Sequence, residues 1–148
     1  MNAQEIINQL PYGKEFLFVD ELLQVNEEFV KGTYSYSKDL NFYDSHFKNK
    51  PITPAVILTE TMAQIGLVCL GIFLLKDQLN DKNLAFAMTS SALDFMQPVY
   101  PGEQVWVSSE KKYFRFNKLS CSVKMENVKG EIVSKGTISG MLLSQGHE

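Results

Sequence analysis

Between positions 54 and 75 the chain runs for 22 residues with Glu60 as its only charged side chain. The last eleven, from Ile65 to Leu75, are apolar without interruption apart from two glycines. A membrane-spanning helix needs about 20 mainly apolar residues. Here Thr59, Glu60, Thr61 and Gln64 break up the first half. A helix that is apolar on nearly every face belongs at the centre of a core. The segment therefore predicts a buried central helix rather than a span, and the rest of the chain must wrap it.

That remainder reads as strands. Residues 3–9 suggest a short helix that stops before Pro11, because a residue preceding proline avoids the α region. Segments 16–25 and 29–37 read as strands joined by the polar Asn26-Glu27-Glu28. Residues 40–54 are irregular, and 76–83 form a solvated turn. Four further strands are expected over 84–96, 104–116, 119–128 and 131–143. In Val105-Trp106-Val107, Phe114-Arg115-Phe116 and Val123-Lys124-Met125 apolar residues alternate with others, the period of a half-buried strand. Without repeats or linkers, residues 1–148 are expected to form a single domain. The class is α+β, an antiparallel sheet wrapped around one long central helix.

Composition narrows the partners. A net charge of −3 gives no reason to expect nucleic acid or an anionic membrane. The start, MNAQEIINQL, lacks the cationic and apolar runs of a signal peptide, so a cytoplasmic location is expected. Cys69 and Cys121 both lie in apolar company and read as reduced core fillers. No His/Cys cluster supplies a metal site, no Gly-rich phosphate loop follows a strand, and no Gly-x-Ser-x-Gly elbow occurs.

Two histidines exist. His147 lies in a polar tail. His46 lies in the loop ahead of the apolar helix, fourteen residues before Glu60. Burial would raise the pKa of Glu60 toward neutrality, where a carboxylic acid can serve as a general acid. The first amides of the helix, on Ala55 and Val56, have no partner within it and sit at the positive end of its dipole. They could polarise a carbonyl oxygen. Plainer readings stand beside these. A lone loop histidine is more often structural, and a single glutamate in an apolar helix can pair with a lysine or cap a backbone group. The cluster Lys111, Lys112, Arg115 and Lys118 reads either as the wet face of a strand pair or as a docking face for an acidic protein. Residues and spacing alone stop at a candidate acid–base pair.

The stretch from Ser45 to Gln64, SHFKNKPITPAVILTETMAQ, resembles the signature of FabZ-type (3R)-hydroxyacyl-ACP dehydratases. His46, Phe47, Pro51, Pro54, Val56, Glu60, Ala63 and Gln64 fall in its register. The block from Ala92 to Gln104 is similar to the family's segment ending in Pro-Val-x-Pro-Gly-Asp. Leu10-Pro11 and Phe16-Leu17-Phe18-Val19-Asp20 are similar to its opening. Departures are Ser45 and Ala55 for glycine, Lys48 for proline, and Tyr12-Gly13 for His-Arg. The altered opening also resembles dehydratase paralogues of bacterial aryl-polyene pigment pathways.

The resemblance implies a hotdog fold, a homodimer and, as a larger assembly, a trimer of dimers. The substrate implied is a hydroxyacyl chain on acyl carrier protein, entering a tunnel at the dimer interface. His46 would take the proton beside the thioester, and Glu60 would protonate the departing hydroxyl. Phe47 would line the tunnel, Gln64 would hold the released water, and the amides of Ala55 and Val56 would face the thioester oxygen. No metal or redox cofactor is expected, since dehydration transfers no electrons. Two rivals share the fold: an acyl-thioesterase, and an acyl-binding subunit without activity.

Overall fold

The computed structural model describes residues 1–78 and 85–143. A short helix α1 (Ala3–Asn8) opens the chain. Its start is fixed by a capping box, in which the Asn2 side chain accepts from the Glu5 amide and Glu5 accepts from the Asn2 amide. Strands β1 (Glu21–Val25) and β2 (Phe29–Ser35) follow, then the helix α2 (Ala55–Leu74), then β3 (Ala85–Phe95), β4 (Gln104–Arg115), β5 (Lys118–Glu126) and β6 (Ile132–Leu143). The six strands form one antiparallel sheet in the order β1-β2-β4-β5-β6-β3. Its inner face curls around α2, and residues 61–72 of the helix are all buried. The helix has the length and hydropathy of a span, but it is the core of the protein. Cys69 and Cys121 are free and buried, as expected.

Two local features differ from the sequence expectation. The strand expected over 16–25 begins only at Glu21. Lys14–Phe16 is a 3-10 turn, and the backbone beyond it is held by a side chain instead of a ladder. The Phe18 amide donates to Gln64 Oε1 at 2.8 Å, and Gln64 Nε2 donates to the Phe16 carbonyl at 2.9 Å. The second feature is a π turn inside α2 at Gln64–Val68, where the Cys69 amide reaches back to the Gln64 carbonyl. The Gly66 carbonyl there accepts from the Ser109 hydroxyl of β4 at 2.8 Å. A Cβ on Gly66 would stand 3.0 Å from Val123 and 3.1 Å from the Ser109 Cβ, so glycine is what lets the sheet approach this carbonyl. The other strand bounds shift by one to two residues, and His147, Leu84 and residues 79–83 of the expected turn lie outside the described residues.

Candidate active site

The loop before α2 is tied down by its own backbone. The His46 amide donates to the Phe42 carbonyl at 3.0 Å, the Ile52 amide to the His46 carbonyl at 2.8 Å, and the Thr53 amide to Val99 at 2.8 Å. The Tyr43 and Thr53 hydroxyls bond to each other beneath it. These contacts present the half-buried imidazole with Phe47 stacked against it, ring centroids 4.1 Å apart.

His46 Nδ1 lies 3.0 Å from the Ile52 carbonyl oxygen. A carbonyl only accepts, so Nδ1 carries the proton and the neutral ring leaves Nε2 as its basic nitrogen. His46 opens onto a cavity of about 370 Å³ shared with Phe47, Ala55, Leu58, Phe95 and Met96. Ala55 is the first residue of α2, and Pro54 ahead of it provides no side-chain cap. The amides of Ala55 and Val56 therefore remain the uncapped positive end of the helix. Val56 itself is 74% exposed and does not line this cavity.

Glu60 stands elsewhere. It lies two residues beyond Leu58, about 200° further round the helix, and does not line the His46 cavity. Its carboxylate accepts from Gln64 Nε2 at 3.0 Å. Half-burial pushes its pKa up, and the Gln64 bond offsets part of that rise. Gln64 is wholly buried, and its amide orientation is settled by partners that cannot exchange roles. Both of its N–H groups are engaged, one by Phe16 and one by Glu60. The residue thereby aims Glu60 and ties it to the 16–18 segment.

Tyr12 is a neighbour that residue patterns pass over. Its ring stands 6.4 Å from that of Phe16. Burial, and next the charge of Glu60, hold its hydroxyl well above the usual tyrosine pKa. The signal was present in the sequence as the departure of Tyr12-Gly13 from the family opening.

A wider depression of about 620 Å³ lies on the outer face of the sheet among Lys31, Lys124, Lys135, Asp94 and Glu110. It contains no imidazole or thiol, and its charges alternate; Lys124 pairs with Glu126 at 3.5 Å. Size alone therefore does not mark the site. The cationic cluster on β4 and β5 is also partly absorbed. Lys111 pairs with Glu28 at 3.3 Å, and Arg115 lies 4.5 Å over the Tyr113 ring.

The profile of the FabA-like domain matches residues 10–138. A "3-hydroxyacyl-[acyl-carrier-protein] dehydratase FabZ" of Sinorhizobium fredii is 31% identical over 97% of this chain and 91% of its own length. One from Petrotoga mobilis is 38% identical over 71% of this chain and 72% of its own. Among solved structures, the dehydratase heterocomplex ApeI:P from Xenorhabdus doucetiae superposes with a TM-score of 0.80 at 11% identity. That match covers 99% of this chain and 94% of the other. A hypothetical thioesterase from Streptococcus pneumoniae gives 0.61 at 15%, covering 84% and 86%. At such identities these two speak to the fold alone. With a match of this extent, the chain belongs to the FabA-like, FabZ-type hydroxyacyl-ACP dehydratase family and has its hotdog fold.

Proposed function

We propose that residues 1–148 act as one domain that dehydrates (3R)-hydroxyacyl thioesters on acyl carrier protein to trans-2-enoyl thioesters, in the cytoplasm, for fatty-acid or polyene assembly. The observation that carries this is the 3.0 Å contact between His46 Nδ1 and the Ile52 carbonyl, which in the neutral ring leaves Nε2 as the basic nitrogen of an imidazole opening onto an apolar cavity at the start of a helix. Nε2 removes the proton from the carbon beside the thioester. The amide of Ala55 stabilises the charge that grows on the thioester oxygen. Glu60, kept in its acid form to higher pH than a free glutamate, protonates the β-hydroxyl, and the C–O bond breaks to give water and the enoyl product. The proton on imidazolium then returns to Glu60 to close the cycle.

Within one protomer Glu60 does not line the His46 cavity, so the reading requires a second copy. β3 supports this. It is an eleven-residue edge strand whose residues 87–92 are exposed on both faces. An edge this long is ordinarily covered. Met88, Phe95, Met96, Phe47 and Val56 are all large exposed apolar residues. A twofold dimer through β3 would cover the edge and bring Glu60 of one copy to His46 of the other.

The test uses (3R)-hydroxyacyl-ACP as substrate. Enoyl product supports dehydration, free acid would indicate a thioesterase, and no product an inactive acyl-binding subunit. The composite site has its own test. His46→Ala and Glu60→Gln are mixed in equal amounts with subunit exchange verified by mass. Random pairing makes about half the dimers mixed, each with one intact site, so about a quarter of wild-type activity returns. A mixture that stays dead refutes the shared site.

A further inference from the structure

One neighbour of Glu60 comes from outside its helix, in the segment between α1 and β1. There the Phe16 amide donates to the Gly13 carbonyl at 3.0 Å, a turn that brings Tyr12 back beside Phe16, ring centroids 6.4 Å apart. Phe16 meets the buried Phe18 edge-on at 5.1 Å, so the row of three rings is anchored in the core. Gln64 Nε2 holds both the Phe16 carbonyl and the Glu60 carboxylate, which locks ring row and acid to one buried side chain. Tyr12 packs against the core cluster, and the charges of Glu60 and Cys69, both on α2, reach its hydroxyl. It therefore lies along the flank of the helix that carries the acid.

The charged groups of the surrounding elements are engaged elsewhere. Among the described residues Glu60 joins no ion pair. Lys14 and Glu15 are exposed on the turn, and Asp20 accepts from the Ser35 amide at 2.7 Å. On the strands packed against the helix, Asp94, Lys124 and Glu126 line the depression on the outer face of the sheet, and Lys118 opens β5 at its hairpin. Tyr12 itself stays uncharged, since burial and then the charge of Glu60 hold its phenol well above the usual range. A cation at this position would favour the carboxylate, whereas a neutral ring that displaces water favours the acid.

We propose that Tyr12 is a positioning residue for Glu60, a neutral aromatic wall that keeps water off the carboxyl so that it retains the proton it delivers. The inference rests on the dehydratase reading for the use of that proton, while the wall itself does not depend on it. Two groups then act on the acid in opposite senses. The Gln64 bond aims the carboxylate and favours its charged form, and the loss of water on the Tyr12 side favours the neutral one.

The test reads Glu60 directly, by carbon NMR of protein carrying carboxyl-labelled glutamate, with Glu60→Gln to assign its signal. In Tyr12→Ala the titration of Glu60 is expected to move down toward the ordinary glutamate range, because water enters beside the carboxyl. Tyr12→Leu removes less of the wall and should move it the same way by less; it decides the matter if the alanine protein does not fold. Tyr12→Phe keeps the ring and should leave the titration where it is. A titration unmoved in the folded alanine or leucine variant, or moved as far by phenylalanine as by alanine, overturns the wall. The alkaline limb of kcat/KM is read separately and should follow the titration downward. Above both limbs, each pH unit of displacement then costs about tenfold in kcat/KM. A residue that only supports the fold would lower stability and leave both readouts unmoved. A titration that moves in a protein without dehydration leaves the wall standing and removes the dehydratase reading.

Discussion

From Thr61 to Ile72 every residue of α2 is buried, whereas from Ala55 to Glu60 only Leu58 is. The two stretches are one continuous helix, interrupted by the π turn at Gln64–Val68. The inner stretch is satisfied by packing, with Ile65, Leu70 and Ile72 wholly buried against the sheet. The outer stretch leaves its first amides uncapped and half-buries a carboxylate, both of which cost stability in isolation. The difference teaches where folding and chemistry are divided. The buried half sets the sheet around the helix, and the exposed half keeps groups that packing alone would have eliminated.

The comparison can be broken at its two poles. Glu60→Gln should lower turnover by about 10²–10⁴-fold, the usual contribution of a general acid, while the protein melts near or above wild type. The sign follows from the raised pKa. A carboxyl whose folded pKa lies above its unfolded value stabilises the fold at low pH, and that contribution is lost as pH rises through the folded pKa. Glutamine removes this pH dependence. Leu70→Ala should do the converse, costing about 2–5 kcal/mol of stability with kcat per folded molecule nearly unchanged. Turnover and denaturant midpoints on both variants decide it. A Glu60→Gln protein with more than a tenth of wild-type turnover ends the acid assignment.

Much of this division is legible in the residue pattern alone. The apolar run from Ile65 to Leu75, with Glu60 alone in the half before it, marks a core helix with one anomalous position. Alternation in Val105-Trp106-Val107 and its counterparts places the strands within one or two residues. The start of β1 is not legible, because the backbone of 16–18 bonds to a side chain 46 and 48 positions away, and periodicity carries no trace of such a contact. The π turn is equally hidden, since Gly66 reads as an ordinary small helical residue until Ser109 is seen beneath it. Among the site residues, Phe47 and Ala55 do share a cavity with His46. The fourteen-residue spacing of His46 and Glu60 says nothing about facing, and within the chain Glu60 does not line the cavity onto which His46 opens.

Gln64 joins the two halves and offers an intermediate effect. Gln64→Met keeps the volume but strands the buried Phe18 amide, at about 1–3 kcal/mol, and releases the more exposed Phe16 carbonyl. It also removes the bond that holds the Glu60 pKa down. The acid form then survives to higher pH, so the alkaline limb of the kcat/KM profile should move upward. A residue with a purely structural role would lower stability and leave that limb where it is. An unmoved limb therefore separates the two roles.

The smallest effect is expected at the first residue of α2. Ala55 places a methyl in the cavity beside His46, where the family carries glycine. Ala55→Gly removes that methyl and leaves the amide donor in place. It costs up to about 1 kcal/mol in helix propensity, and less than the interior value because the position lies at the helix end. If the exposed half is shaped for access, widening the approach should leave kcat/KM equal or raise it a few-fold, with a small drop in melting temperature. If the methyl instead shapes the cavity around a particular acyl chain, turnover should fall for the preferred substrate and rise for bulkier ones. Measuring kcat/KM across a series of hydroxyacyl thioesters of graded length distinguishes the two. A uniform loss across the series in a stably folded variant would contradict both, and would mean that the outer half of α2, like the inner half, depends on its packing.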